Sequence, residues 1–201
     1  MHQLAEYQGR HREDKEAESA RRQKSLSEAP VDITPENKGA FPWSESKDLG
    51  KFENDWSMKP VQIRGLFDHS REFQVAKQYR GEKGVEIITP FFTHLGADGK
   101  PRGVLVNRGW VPEDLKNQRL HLQTTAGAIR GVLTRGTPQT KYTKPNTPGV
   151  NDYTHFVPYD FAILTQLPNR EEASQFVLHQ VDFDEERRQL LPTAPSKEEL
   201  T

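Results

Sequence analysis

VEIITPFF at residues 85–92, the polar ADGKPR at 97–102 and GVLVNRGWV at 103–111 form the stretch whose reading decides the fold. Val, Ile, Phe and Thr suit a pleated, half-buried surface, and the Asp-Gly-Lys-Pro insert is turn chemistry, so the two apolar runs predict an antiparallel hairpin. Thr89-Pro90 interrupts the first run. Proline cannot donate to a ladder, which places this point at a sheet edge or a bulge.

The same pattern extends in both directions. PVQIRGLF at 60–67 alternates through Val61, Ile63 and Gly65, and EFQVAKQY follows at 72–79 across the turn-prone DHSR, the signature of another hairpin. Downstream, AIRGVLTR at 128–135 and QFVLHQVDF at 175–183 read as strands. PEDL at 112–115 opens like a short helix, and PYDFAILTQL at 158–167 offers a helix with Phe161, Ile163, Leu164 and Leu167 to bury. The fold class expected is α+β, mainly β: a small antiparallel β-barrel or sandwich of about six strands with a charged N-terminal helix and short peripheral helices.

Polarity separates the chain into four regions. Residues 1–28 carry helix-forming, charged composition with few apolar positions, and predict an exposed helix. Residues 29–58 hold Pro30, Pro35, Gly39, Pro42 and Gly50, with Phe41, Trp43, Phe52 and Trp56 as isolated aromatics, and read as a linker pinned by those rings to its own domain or to a partner. Residues 59–182 are the antiparallel β domain. Residues 183–201 are a polar tail, and at its start Asp182, Asp184, Glu185 and Glu186 beside Arg187 and Arg188 form a solvated charge run. Gly136 to Tyr153, rich in Pro and Thr, reads as a long surface loop.

Lys plus Arg number 28 against 29 for Asp plus Glu. A net charge of -1 offers no basic excess for a phosphate backbone, so nucleic acid is not an expected partner. With no cysteine in the chain, disulfides, thiolate metal sites and thiol nucleophiles are excluded. His2, His11, His69, His94, His121, His155 and His179 share no close ligand spacing, so no metal site is expected. Neither a Gly-rich phosphate loop nor Gly-x-Ser-x-Gly occurs, and no run is long and apolar enough for a membrane helix. The expectation is a protein that is not an enzyme.

VEIITPFF followed by GVLVNRGWVP resembles the central signature of the Surfeit locus protein one family, a strand ending in Thr-Pro and then Leu-Val-Asn-Arg-Gly-Trp-Val-Pro. VQIRGLFDHSREFQV is similar to that family's Gly-x-Phe-Asp hairpin. Asn146 with Pro148, and Phe156 with Asp160, sit where its Asn-x-Pro loop and aromatic-Asp helix start fall. YQGRHREDK at 7–15 is similar to the segment that follows the first membrane helix in family members. The motif residues so marked, structural or partner-facing, are Gly65, Phe67, Gly84, Thr89, Pro90, Asn107, Arg108, Gly109, Trp110 and Pro112.

The resemblance implies a mitochondrial inner-membrane location, on the intermembrane-space side, and work in cytochrome c oxidase biogenesis around delivery of haem a. Family members close with a second membrane helix bearing a histidine implicated in haem handling, whereas this sequence ends at SKEELT. No residue is therefore carried over as a haem ligand, and haem a enters only indirectly. Partners expected from the resemblance are cytochrome c oxidase subunits and a separate chain supplying the membrane helices, with the protein a peripheral accessory subunit of the oxidase or respiratory supercomplex. A haem chaperone is the rival reading, and a sequence that is one piece of a longer chain is the third.

On the residues themselves, Asn107 and Gly109 are explained by a tight turn or bulge, and Trp110 by packing on the barrel. Arg108 carries five donors suited to an internal carboxylate or to a propionate, with the internal salt bridge placed first.

Overall fold

The computed structural model describes residues 2–33, 41–45, 49–95, 99–118, 126–135, 146, 153–181, 192–196 and 198–200. In chain order these form α1 (His2–Ser27), β1 (Val31–Ile33), α2 (Leu49–Asp55), β2 (Pro60–Phe67), β3 (Phe73–Tyr79), β4 (Glu82–Leu95), β5 (Pro101–Pro112), β6 (Ala126–Thr134), α3 (Pro158–Leu164), α4 (Arg170–Ala173) and β7 (Val177–Gln180). The class is α+β, mainly β.

Among the described residues the sheet has seven strands in the order β1-β2-β6-β7-β5-β4-β3, and β2 also pairs with β4. That last pairing, Leu66 opposite Phe92 and Phe67 opposite Phe91, closes β2, β6, β7, β5 and β4 into a five-stranded barrel. The seventh strand is β1, which pairs in parallel with β2 inside the stretch expected to be linker. β5 and β7 also run parallel.

β4 and β5 form the expected hairpin, in register from Gly84 opposite Pro112 to Leu95 opposite Pro101. β5 is buried from Gly103 to Val111, on both faces. Its inward residues Val104 and Val106 join Val61, Ile63, Phe91, Ile129, Leu133 and Leu178 in the barrel interior. Its outward Leu105 packs with Ile88 and Val177 beneath Phe161 and Ala162 of α3. A strand covered on both sides has no reason to alternate, which is why GVLVNRGWV reads as a continuous apolar run.

The second expected hairpin is corrected. β2 pairs with β6 over Pro60 to Leu66 and with β4 at its end, while β3 pairs with the opposite half of β4, from Phe73 opposite Ile88 to Tyr79 opposite Glu82. A 3-10 turn at His69–Arg71, with Asp68 accepting from Ser70 N at 3.0 Å, carries the chain from one half of β4 to the other. Pairing β2 with β6 buries both; pairing it with β3 would leave the barrel open. Thr89 and Pro90 fall between the two halves, where β4 has β5 on one side and no ladder partner on the other, and the Pro90 carbonyl accepts from Asp68 N at 2.9 Å.

Of the two surfaces that could pin the rings of 29–58, the chain's own domain holds the described ones. Phe41, Trp43 and Phe52 are 0–1% exposed and belong to the barrel core. Phe41 stacks on Trp43 at 4.7 Å, Trp43 meets Trp56 and Phe176 edge-on, and Phe52 stacks on Phe176 at 4.7 Å. The surface that pins these rings is the chain's own. Residues 113–117 form turns where PEDL suggested a helix. Within the expected polar tail, Thr193 bridges to Trp110 and Glu198–Leu200 form a 3-10 turn; the charge run from Asp182 to Arg188, Pro148 and the rest of the Gly136–Tyr153 loop apart from Asn146 and Tyr153 lie outside the described residues.

Candidate functional site

A β-bulge organises the site. Ile88 lies opposite Asn107 and Ile87 opposite Gly109, so Arg108 is an extra residue in β5. Asn107 Oδ1 accepts from Gly109 N at 3.0 Å, and Gly109 takes φ +121, a conformation that side chains strongly resist. The bulge sends Arg108 over the ring of Phe67, its guanidinium carbon 4.4 Å from the centroid.

Three further side chains complete a buried polar cluster there. Glu72 Oε2 lies 4.0 Å from Arg108 Nη1, accepts a hydrogen bond from the Thr89 hydroxyl at 3.0 Å, and faces His69 Nδ1 at 3.5 Å. The Arg108 and Glu72 side chains are only 6% and 10% exposed. Burial pulls the Arg108 pKa below its ordinary value, and the charge of Glu72 opposes that pull. The cluster binds an internal carboxylate to an internal cation, with an aromatic face as the third wall.

The remaining motif residues serve closure and a seat for the C-terminal segment. A Cβ at Gly65 would overlap the Phe92 carbonyl oxygen, so β2 meets β4 closely enough to shut the barrel only because position 65 has no side chain. Trp110 lies across Gly84, donates from Nε1 to Lys77 O at 3.0 Å and packs against Tyr79 at 5.4 Å between ring centroids. Gly84 itself lies opposite Pro112. Away from these groups, Asn146 donates to His155 O at 2.9 Å and reaches Asp160 at the start of α3.

Of the ten motif positions, Asn107, Arg108 and Gly109 form the bulge, Phe67 and Thr89 border the Arg108–Glu72 cluster, Gly65 lies at the β2–β4 closure, and Trp110 lies across Gly84, which faces Pro112. Sequence reasoning missed Glu72, His69, Tyr79, Arg80, Thr193 and Glu199. Glu72 opens the run read as a strand, directly after the turn-prone DHSR, and nothing in its spacing marks it as inward-facing. Asn169 was missed as well: buried, it accepts from Gly103 N at 2.9 Å and donates to Gly103 O at 2.8 Å, fixing the start of α4 to β5. A lone Asn after proline carries a helix-start signal but no hint of that partner.

A family model described as the SURF1 family matches residues 1–199. Surfeit locus protein 1 of Gallus gallus is 35% identical over 72 residues, a match covering 27% of this chain and 22% of the chicken protein.

Proposed function

The chain belongs to the SURF1 family, and from that membership we propose that it is a non-catalytic protein of cytochrome c oxidase biogenesis, acting at the mitochondrial inner membrane as a peripheral accessory subunit on the intermembrane-space side. One observation carries the accessory reading. α1 spans 26 residues, yet among its residues 12–27 only Leu26 is buried. A helix polar on all sides, laced by the Arg12–Glu16 and Glu18–Arg22 pairs, is what a bridge to another body requires. Among the described residues no helix is long and apolar enough to cross a membrane.

The haem-chaperone reading relies on Arg108 meeting a propionate. Its guanidinium already faces Glu72 and Phe67, and the barrel axis is filled by Trp43, Phe52, Phe91 and Phe176. A propionate would have to displace Glu72, so contacts on the outer surface and along α1 are favoured over a cofactor in the barrel.

The test is extraction of native membranes in mild detergent, affinity capture of this chain, mass spectrometry of what remains bound and a haem absorbance spectrum. Recovery in fixed proportion with mature oxidase subunits is expected. Capture of immature largest subunit or haem-synthesis enzymes alone, with haem absorbance, would establish the chaperone instead, and recovery of neither set would remove both readings.

A further inference from the structure

β7 accompanies β5 only at Val106 and Asn107 and then leaves it, Val181 N bonding to Arg130 O of β6. The edge of β5 at Gly109–Trp110 is thereby open to another strand, and the chain's own C-terminal segment takes the place. Trp110 N donates to Thr193 O at 3.0 Å and Thr193 N to Trp110 O at 2.8 Å, an antiparallel bridge. The seat is shaped for a passing backbone: a Cβ on Gly109 would overlap the Thr193 carbonyl and lie 2.8 Å from Ala194 N. Farther along, the Tyr79 hydroxyl and Arg80 Nη2 both donate to Glu199 Oε1, the latter at 2.7 Å. Leu200 then packs against the cluster of Leu26, Met58, Val132 and Val181.

The seat is specific but the hold is light. One bridge supplies two main-chain bonds, and the Arg80 side of the ion pair is 73% exposed, where such pairs contribute little. Strand addition to an open edge, with side-chain subsites giving selectivity, is a general mode of peptide recognition.

We infer that the Gly109–Trp110 edge, with Tyr79 and Arg80 beside it, is an acceptor site for an extended acidic segment. Residues 192–196 and 198–200 occupy it in cis, and a protein partner presenting a carboxylate placed as Glu199 is relative to Thr193 occupies it in exchange. The inference goes beyond the oxidase reading and does not depend on it.

The probe is a fluorescent synthetic peptide with the sequence of residues 191–201, titrated by anisotropy against the full chain. Glu199→Ala in the chain loosens the cis segment and leaves the acceptor intact. That variant is expected to bind the peptide about three- to tenfold more tightly than the unaltered chain. Adding Tyr79→Phe and Arg80→Ala to it should remove the gain, as should Glu199→Ala in the peptide. Amide exchange on the Glu199→Ala chain should quicken at Thr193 and Trp110 while Val104 to Val106 stay protected, which also reports that the barrel is folded. Equal affinity for all chains, no binding to the Glu199→Ala chain at about millimolar peptide, or unchanged exchange at Thr193 would each overturn the inference.

Discussion

α1 and the stretch from Phe41 to Trp56 invert the relation between regularity and burial. α1 is 26 residues of continuous helix and, over its residues 12–27, buries Leu26 alone. The second stretch holds a four-residue 3-10 turn and a seven-residue helix, yet it places Phe41, Trp43 and Phe52 at 0–1% exposure in the barrel core. Helical hydrogen bonds are satisfied within the segment itself and need no core to pair them, whereas aromatic rings bury about 150–250 Å² each wherever the backbone can deliver them. Stability in this chain follows the rings.

The largest expected effect tests that directly. Trp43→Ala removes a ring that contacts Phe41, Trp56 and Phe176, and should lower unfolding stability by about 3–5 kcal/mol in urea titration. A loss under about 1 kcal/mol would break the comparison. Next comes the buried charge pair: Glu72→Gln should cost about 3 kcal/mol, because Arg108 loses the carboxylate facing it in a buried setting. Combining it with Arg108→Met should recover most of that loss, as a double-mutant cycle would register.

Leu26→Ala attacks the one buried residue described in α1 and should cost about 2 kcal/mol, with helical circular dichroism falling before the β signal. A smaller effect is pH-dependent. Burial lowers the pKa of His179, with Glu86 opposing and Lys77 assisting. A histidine with a folded pKa below its ordinary 6.5 contributes stability that is present above that value and lost as pH falls. Melting temperature should therefore drop as pH is lowered beneath about 6.5, and His179→Gln should flatten that part of the profile. Smallest of all, Glu16→Gln breaks an exposed i,i+4 pair, Arg12 and Glu16 being 80% and 64% exposed, and should change stability by less than about 0.5 kcal/mol.

Much of the fold was legible in local pattern. The β4–β5 hairpin follows from β-forming runs around Asp-Gly, β6 and α3 from their periodicity, and the break at Thr89-Pro90 from the missing donor. The β2–β3 hairpin was misread because two strands joined by a short turn look alike whether they pair with each other or with two halves of a third. The buried role of Phe41, Trp43 and Phe52 was hidden because irregular spacing carries no period. At the site, the Asn-Arg-Gly-Trp run stood out as a motif, whereas Glu72, Thr193 and Glu199 are remote from it in sequence and show no pattern of their own.

By itself the sequence determined the mainly-β class, the charged N-terminal helix and the position of the motif, since each depends on neighbours within a few residues. Only the tertiary structure decided that β2 closes on β4, that Arg108 turns inward to Glu72, and that Thr193 and Glu199 come to rest beside Trp110. Those pairings join residues far apart along the chain, and they are selected by which closure buries the most apolar surface while leaving the fewest buried polar groups unmatched.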